Sequence, residues 1–304
     1  MARILVPTQD LASALDGVAG ADVDVAIPDD SGLPSGAADV EFYVPPFFPA
    51  PAAVAAIAKL PKLRVVQAQT AGVDRLRPHV PAGVLLCNAR GAHDASTAEW
   101  VVAALLASLR DFPYFAGEQA AGRWSYRHTD CLAGKTVLIV GYGSIGAAVE
   151  RRLAPFEVQV LRAARSAREG VSATADIPAL LPLADVVVLL VPVTPDTVGM
   201  VNAAFLSQMK DGALLVNAAR GSIVVTGDLC GELRTGRLNA ALDVTDPEPL
   251  GPGHPLWAMP NVFITPHVAA SAPVSERGVR ALVRAQVQRF LNAEPLVNVV
   301  GGDY

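Results

Sequence analysis

Three side chains in the second half of the sequence have the types that acid–base chemistry on an anionic substrate requires: Arg220, Glu248 and His267. A guanidinium can bind a carboxylate through two parallel hydrogen bonds. An imidazole can give or take a proton near neutral pH, and a neighbouring carboxylate fixes its tautomer and favours its protonated form. Taken singly, such an arginine is more often part of a surface ion pair, and such a histidine a hydrogen-bonded loop residue. Together they predict a reaction site.

A glycine-rich segment, VLIVGYGSIG at Val137–Gly146, predicts a strand, a tight turn and the start of a helix. Gly141 permits the turn, Gly143 lets the backbone approach a pyrophosphate, and Gly146 lets the helix and strand pack closely. The helix start at Ser144 and Ile145 offers N–H groups to the phosphates. A structural strand–turn–helix with no ligand is the alternative, but the segment favours dinucleotide binding.

The candidate residues all follow apolar strands. Polar segments come directly after four predicted strands, at Val186–Val191, Ala213–Asn217, Asn239–Leu242 and Val262–Thr265. Ligands of open α/β sheets bind at the carboxyl ends of parallel strands. The four segments are therefore expected to meet at one edge of a sheet.

The strands and helices alternate along the whole chain, which predicts an α/β fold of two domains. Continuous apolar runs such as VVVLLV indicate a parallel sheet buried on both faces, as in a doubly wound Rossmann domain. Because the glycine motif begins near residue 137, residues 1–95 are predicted to form a second, smaller α/β domain of flavodoxin type for the substrate. Ser96 and Glu99 suggest a capping box at the start of a helix that runs to Leu109. The predicted elements of the smaller domain are strands at Arg3–Val6, Val23–Ile27, Glu41–Val44, Leu63–Ala68 and Val84–Cys87 and a helix at Ala52–Leu60.

Composition excludes several classes of protein. The 304 residues carry a net charge of −5 with no basic block, which argues against nucleic-acid binding. No apolar run reaches the roughly 18 residues that span a bilayer, so we expect no membrane segment. Cys87, Cys131 and Cys230 are few and scattered. They predict free thiols in a reducing cytoplasm and no metal site.

Seven segments resemble the D-isomer-specific 2-hydroxyacid dehydrogenase family, in particular its glyoxylate/hydroxypyruvate reductase branch, in family order. They are TAGVD at 70–74, TAEW at 97–100, VGYGSIG at 140–146, VPVTPDTVGMVN at 191–202, LLVNAARGSIV at 214–224, ALDVTDPEPL at 241–250 and FITPHVA at 263–269. The resemblance implies reduction of a 2-keto acid to a D-2-hydroxy acid by hydride transfer from a nicotinamide cofactor. It also implies a homodimer, and a discontinuous substrate domain of residues 1–95 and 272–304 around a dinucleotide-binding domain of residues 96–271.

The resemblance assigns roles to particular residues. His267 would be the general acid, Glu248 its partner, and Arg220 the group that holds the substrate carboxylate and polarises the carbonyl. The same carboxylate would bind the backbone amides of Ala71, Gly72 and Val73. The residues expected to contact the cofactor are Thr97, Gly143, Ser144, Ile145, Gly146, Val191, Pro192, Thr197, Ala218, Ala219, Arg220, Asp243 (at the nicotinamide carboxamide), His267 and Ala269.

The residues after the second Rossmann strand indicate which cofactor is used. An NAD-type site places an acidic residue about 20 positions past the glycines, and here that position falls near Ala164. Arg165, Ser166 and Arg168 follow instead. Two guanidiniums and a hydroxyl suit a 2′-phosphate, which predicts a preference for NADP(H) over NAD(H). If the arginines form only a solvated loop edge, NADH would serve.

Phe47 and Phe48 lie in the proline-rich segment PPFFPAP and either pack in the core or line a substrate pocket. A pocket lined by them suits a 2-keto acid with an apolar or aromatic side chain as well as glyoxylate. Glu248 stands where formate-oxidising relatives carry glutamine, which argues against that reaction. The alternative of another class is a nicotinamide-sensing, corepressor-like binding protein with little turnover.

Overall fold

The computed structural model of the chain describes residues 1–28 and 32–301. The chain divides into two compact units. Unit 1 comprises residues 1–93 and the segment from Pro273 onward, and unit 2 comprises residues 94–272.

The strands, in chain order, are β1 (Ala2–Val6), β2 (Ala21–Val25), β3 (Val40–Tyr43), β4 (Val65–Gln67), β5 (Leu85–Cys87), β6 (Thr136–Val140), β7 (Gln159–Ala164), β8 (Ser172–Ala173), β9 (Val186–Leu189), β10 (Leu214–Asn217), β11 (Asn239–Leu242) and β12 (Val262–Ile264). The α-helices are α1 (Gln9–Ala14), α2 (Pro51–Ala55), α3 (Asp94–Leu109), α4 (Phe112–Ala120), α5 (Ser144–Leu153), α6 (Ile177–Leu180), α7 (Ala203–Ser207), α8 (Thr226–Arg234) and α9 (Pro273–Leu291).

Unit 1 contains a parallel sheet with the strand order β2–β1–β3–β4–β5, the order of flavodoxin-like folds. Successive residues of β1 alternate between the two faces: Ile4 packs with Val283 and Val287 of α9, and Leu5 packs with the opposite cluster. Both faces are therefore covered, as a parallel sheet requires. The C-terminal segment also bonds β5, because the Val300 N–H donates to the Leu86 carbonyl at 2.8 Å.

Unit 2 contains a seven-stranded parallel sheet with the order β12–β11–β10–β9–β6–β7–β8. This is the doubly wound arrangement, in which the order reverses beside β6. All four residues of β9 are buried: Val187 and Leu189 pack into one cluster, and Val186 and Val188 into the other. The α/β fold class predicted from the sequence is confirmed.

Helix α3 corrects one sequence-based prediction. Ser96 was expected to cap this helix, but the helix begins two residues earlier, at Asp94. The first turns of this helix are already packed against the protein, since its residues Ser96, Thr97 and Ala98 are all buried. Ser96 therefore packs inside the helix instead of capping it, and the capping box with Glu99 is wrong.

Cys87, Cys131 and Cys230 are free thiols. Burial raises the pKa of the Cys87 thiol to about 11.

Within residues 1–28 and 32–301, no helix combines the length and apolar character needed to cross a bilayer.

Candidate active site

The glycine turn between β6 and α5 gives its three glycines three different environments. Gly141 has φ +102°, and a Cβ there would lie 2.5 Å from the Leu190 carbonyl carbon. A Cβ on Gly146 would lie 3.1 Å from the Gly141 oxygen, at the helix–strand contact. A Cβ on Gly143 would meet nothing within 4 Å. The first and third glycines thus serve the packing of the chain, while the second leaves the backbone open on its outer side.

Helix α5 begins directly after this open position, with Gly143 as its N-cap. The first N–H groups of any helix lack intrahelical acceptors, and the helix dipole adds partial positive charge there. The Ser144 hydroxyl lies 3.1 Å from an Asp94 carboxylate oxygen, which ties the turn to the start of α3. An open glycine backbone at a helix N-terminus fits the pyrophosphate of a dinucleotide.

A basic loop follows β7 beside this turn. Arg165, Ser166 and Arg168 are all exposed, and Arg168 donates from Nη2 to the Tyr142 carbonyl of the glycine turn at 2.6 Å. This bond places one guanidinium of the loop next to the turn. The loop can therefore carry positive charge to the same ligand as the glycines.

Glu150 on α5 holds the glycine turn through side-chain hydrogen bonds. It accepts hydrogen bonds from the Tyr142 hydroxyl and from Arg162, whose Nε lies 2.9 Å from Glu150 Oε2. The hydrogen bond from Arg162 holds the pKa of the Glu150 carboxyl below its usual range. The network joins β7, α5 and the turn, and the sequence reasoning missed it.

His267 and Glu248 are paired. The distance from His267 Nδ1 to Glu248 Oε1 is 2.7 Å, and each side chain is about a quarter exposed, at 26% and 27%. A carboxylate only accepts hydrogen bonds, so Nδ1 is the donor in this pair. The ring is thereby oriented, and Nε2 is the nitrogen that faces away from the carboxylate.

The backbone of His267 has φ +55°, in the left-handed region. That region costs a non-glycine residue about 1–2 kcal/mol. Asp243, which is 2% exposed, holds this turn through four hydrogen bonds. Its carboxylate accepts from the Thr265 hydroxyl at 2.6 Å, the Val268 N–H at 2.8 Å and the Ala269 N–H at 2.9 Å. Its carbonyl accepts from the His267 N–H at 2.7 Å. Asp243 thus fixes the turn that carries His267, a role the sequence did not indicate.

Arg220 lies just past the end of β10, on a turn held by Asn217. The buried Asn217 side chain donates to the Arg220 carbonyl at 2.9 Å and accepts from the Ala219 N–H at 3.0 Å. The next residue, Gly221, is required, because a Cβ there would lie 2.0 Å from the Thr245 carbonyl oxygen. Asn217 was not among the predicted site residues, because asparagine is common in the turns that follow strands and its position alone indicates no further role.

The register of the sheet sets Arg220 and His267 at the same edge. Asn217 pairs with Leu242 across β10 and β11, and the Asp243 N–H donates to the Asn217 carbonyl at 3.0 Å. Glu248 and His267 are joined directly to each other, and Asp243 is joined to the His267 turn. Arg220 belongs to the neighbouring strand end.

Several residues expected to contact a cofactor are buried within unit 2. The Thr197 hydroxyl donates to the Pro192 carbonyl at 2.6 Å and so closes the turn after β9. Ala218 is half-buried. The buried members of the expected set are Thr97, Gly146, Val191, Thr197, Ala219, Asp243 and Ala269. Their packing shapes the strand-end edge at which Arg220 and His267 lie.

In unit 1, the residues 70–73 form a bonded loop after β4. The Ala71 carbonyl accepts from Asn88 Nδ2 at 3.0 Å, and the Gly72 carbonyl accepts from the Thr70 hydroxyl at 2.6 Å. Val73 is buried. These bonds and the burial of Val73 restrain the loop, and with it the directions of its amides.

Phe47 and Phe48 of unit 1 contact each other edge to face, with ring centroids 4.8 Å apart. Phe47 is half-buried and contacts the His93 ring, whereas Phe48 is 55% exposed. Phe48 is therefore not a core residue of this unit.

Comparison with known proteins gives consistent matches. A family model described as "D-isomer specific 2-hydroxyacid dehydrogenase, NAD binding domain" matches residues 102–269. A glyoxylate reductase/hydroxypyruvate reductase of Mus musculus is 37% identical over 237 residues, 73% of this chain and 72% of that one. A D-3-phosphoglycerate dehydrogenase of Archaeoglobus fulgidus is 32% identical over 249 residues, 78% of this chain. The match spans about half, 47%, of that longer relative.

Among solved structures, a D-isomer-specific 2-hydroxyacid dehydrogenase from Xanthobacter autotrophicus Py2, in complex with NADPH and MES, superimposes with a TM-score of 0.85. It is 32% identical, and the match covers 99% of this chain and 98% of that one. The chain therefore belongs to the D-isomer-specific 2-hydroxyacid dehydrogenase family, a family of NAD(P)-dependent oxidoreductases.

Proposed function

We propose that this chain reduces a 2-keto acid to a D-2-hydroxy acid, with His267 as the general acid, Glu248 as its partner and Arg220 as the carboxylate-binding residue. The observation that carries the proposal is the 2.7 Å pair of His267 and Glu248. It lies on a turn fixed by Asp243, at the strand-end edge of the sheet whose β6 leads into the glycine turn. The relatives named above are enzymes, which does not favour a binding protein without turnover.

Each residue has a defined task in this reaction. When bound, a reduced nicotinamide supplies the hydride that goes to the keto carbon. His267, protonated on both nitrogens, donates the Nε2 proton to the carbonyl oxygen as negative charge develops there. Glu248 accepts the Nδ1–H bond and stabilises the charged ring before transfer. The Arg220 guanidinium binds the substrate carboxylate and draws electron density towards the carbonyl oxygen.

We propose that unit 2 binds the dinucleotide and that unit 1 contributes to substrate binding. In unit 2, the glycine turn at Gly143–Gly146 would hold the pyrophosphate, and the buried residues at the strand ends would shape the nicotinamide site. The packing of Thr97, Val191, Ala219 and Ala269 supports this assignment. Asp243 Oδ2 accepts one hydrogen bond, from the Ala269 N–H, so this oxygen is the one proposed to meet the carboxamide. In unit 1, the amides of Ala71, Gly72 and Val73 are proposed to bind a substrate carboxylate.

NADP(H) is the proposed cofactor over NAD(H). The position near Ala164 carries no carboxylate that would repel a 2′-phosphate. Arg168 is bonded to the glycine turn itself, and Arg165 and Ser166 lie exposed on the same loop. The NADPH complex of the Xanthobacter relative agrees with this choice.

Two classes of substrate are proposed. The exposed ring of Phe48 supports a 2-keto acid with an apolar or aromatic side chain. The name of the mouse relative supports glyoxylate and hydroxypyruvate.

A homodimer is also proposed, with the exposed aromatic side chains of residues 112–126 as its contact surface.

The decisive experiment follows absorbance at 340 nm with glyoxylate, hydroxypyruvate and phenylpyruvate, each with NADPH and with NADH. We expect turnover with at least one acid. His267→Asn should lower kcat by about 10²- to 10⁴-fold, because the proton donor is lost. His128→Asn, at an exposed histidine of unit 2, is the matched control and should retain wild-type kcat. Wild-type kcat in the His267 variant would overturn the assignment, and tight cofactor binding without any turnover would point to a sensor.

A further inference from the structure

Three consecutive carbonyl groups after β4 are each held by a donor from unit 1. The Thr70 carbonyl accepts from the Ala89 N–H at 2.9 Å. The Ala71 carbonyl accepts from the Asn88 side-chain amide at 3.0 Å, and the Gly72 carbonyl accepts from the Thr70 hydroxyl at 2.6 Å. Two of the three donors are side chains, so substitution can remove them one at a time.

Holding a carbonyl also aims the next amide. The peptide group is planar and trans, so its N–H points opposite to its C=O. Bonding of the Ala71 carbonyl therefore fixes the Gly72 N–H, and bonding of the Gly72 carbonyl fixes the Val73 N–H. The Gly72 amide is therefore turned away from Asn88, and the Val73 amide is turned away from the Thr70 hydroxyl.

Asn88 is itself held at every polar group. Its Oδ1 accepts from the Arg90 N–H at 3.1 Å, and its carbonyl accepts from Gln67 Nε2 at 3.2 Å. Its N–H donates to the Asn298 carbonyl at 3.1 Å, and the residue is 9% exposed. Such a side chain has one orientation, so it can transmit a fixed direction to the Ala71 peptide.

We propose that Asn88 and Thr70 are positioning residues for substrate binding: their side chains aim the Gly72 and Val73 amides at the substrate carboxylate through the carbonyls of Ala71 and Gly72. Neither side chain touches the substrate in this arrangement. The inference rests on the proposed function and adds to it the residues that set the direction of the amide donors. The specificity for a carboxylate then depends partly on two side chains that bond the loop carbonyls and not the substrate itself.

Asn88→Asp is the sharpest test, because it keeps the shape and the Oδ1 acceptor for Arg90 but removes the donor to Ala71. The new carboxylate oxygen would repel the Ala71 carbonyl and turn its peptide. We expect kcat/KM for the 2-keto acid to fall by about 10- to 100-fold. Most of the change should appear in KM, since the carboxylate is bound in both ground and transition states. Binding of oxamate, measured by calorimetry with the cofactor present, should weaken in parallel while NADPH binding stays unchanged.

A second pair of variants protects the test against simple misfolding. Thr70→Val removes the hydroxyl donor and should raise KM, whereas Thr70→Ser keeps the donor and should restore the wild-type KM. Asn239→Asp removes an amide-to-carbonyl bond of 3.0 Å in unit 2, to Gly212, and serves as the control for the Asn88 change. It should leave KM and oxamate binding unchanged.

The outcomes separate this inference from the proposed function. Wild-type KM and oxamate binding in both Asn88→Asp and Thr70→Val, with loss of turnover in His267→Asn, would overturn the inference alone. Lower kcat and thermal stability without a rise in KM would also overturn it, since that is the pattern of a purely structural role. A wild-type enzyme that neither reduces any 2-keto acid nor binds oxamate would overturn both.

Discussion

His267 has a backbone conformation that few residues other than glycine adopt, and Asp243 holds it there. The buried carboxylate of Asp243 accepts three hydrogen bonds from the turn between Thr265 and Ala269. The backbone carbonyl of Asp243 accepts a fourth, from the His267 N–H. Glu248 then orients the ring itself. The imidazole is therefore placed by its backbone and by its side chain independently, which limits the search for a productive orientation.

Arg168 allows a test of cofactor choice by a single residue. Arg168→Gln should raise KM for NADPH by about 10- to 100-fold, because a charge-assisted bond to phosphate contributes roughly 1.5–3 kcal/mol. KM for NADH should change little, since the 2′-hydroxyl carries no charge. Steady-state kinetics with both cofactors measures this. Arg151→Gln, at an exposed arginine of α5, is the control. Equal losses with both cofactors would contradict the assignment.

At the scale of elements, two glycines of unit 2 differ in what surrounds them. Gly221 begins the short turn after β10 and lies against the Thr245 carbonyl, where a Cβ would approach to 2.0 Å. Gly231 lies inside α8, and a Cβ there would meet nothing within 4 Å. The first glycine serves the contact between two strand-end loops. The second only weakens its helix.

Replacement of each glycine by alanine should therefore have opposite effects. Gly221→Ala should lower the free energy of unfolding by about 3 kcal/mol or more, because the backbone must move, and it should reduce kcat/KM by shifting Arg220. Gly231→Ala should raise the free energy of unfolding by roughly 0.5–1 kcal/mol with activity unchanged. Urea denaturation and turnover assays measure both. A destabilised Gly231→Ala variant would show that α8 has a contact we have not recognised.

The sequence predicted the strands of both sheets well, because buried parallel strands leave uninterrupted apolar runs such as Val186–Leu189. It missed strand β8 and helices α1 and α6, which have two, six and four residues and are too short to show a periodicity. It also missed α4, which contains Pro113 and Gly117. The candidate reaction residues were visible as polar groups after strands. Asn88 and Asn217 were not, since their roles depend on hydrogen bonds to distant backbone groups. Spacing along a chain carries no sign of such partners.

At the scale of the whole molecule, unit 2 exposes aromatic side chains that a lone chain would leave in water. Trp124 and Tyr126 are almost fully exposed, and Phe112 and Tyr114 on α4 lie near them in sequence. Aromatic residues are enriched in protein interfaces. These side chains are the proposed contact between two copies of the chain.

The proposed dimer can be measured by size-exclusion chromatography with light scattering. The wild-type mass should be twice the 31.6 kDa of one chain. The double variant Trp124→Ala, Tyr126→Ala should move to the mass of one chain, because large anchoring side chains contribute most of the energy of an interface. Trp257→Ala, at another exposed tryptophan of unit 2, should leave the mass unchanged. A single-chain mass for the wild type would refute the dimer.

The route of the backbone has a consequence for how the protein is made. Unit 2 is one continuous stretch, whereas unit 1 needs Val279, Val283 and Val287 of α9 to cover one face of its sheet. It also needs Val299 to bridge Cys87 at the edge. A ribosome delivers these residues only after all of unit 2, so nascent unit 1 remains with an uncovered apolar face while unit 2 can already fold. During translation, the synthesis of unit 1 therefore begins before that of unit 2 and is completed after it.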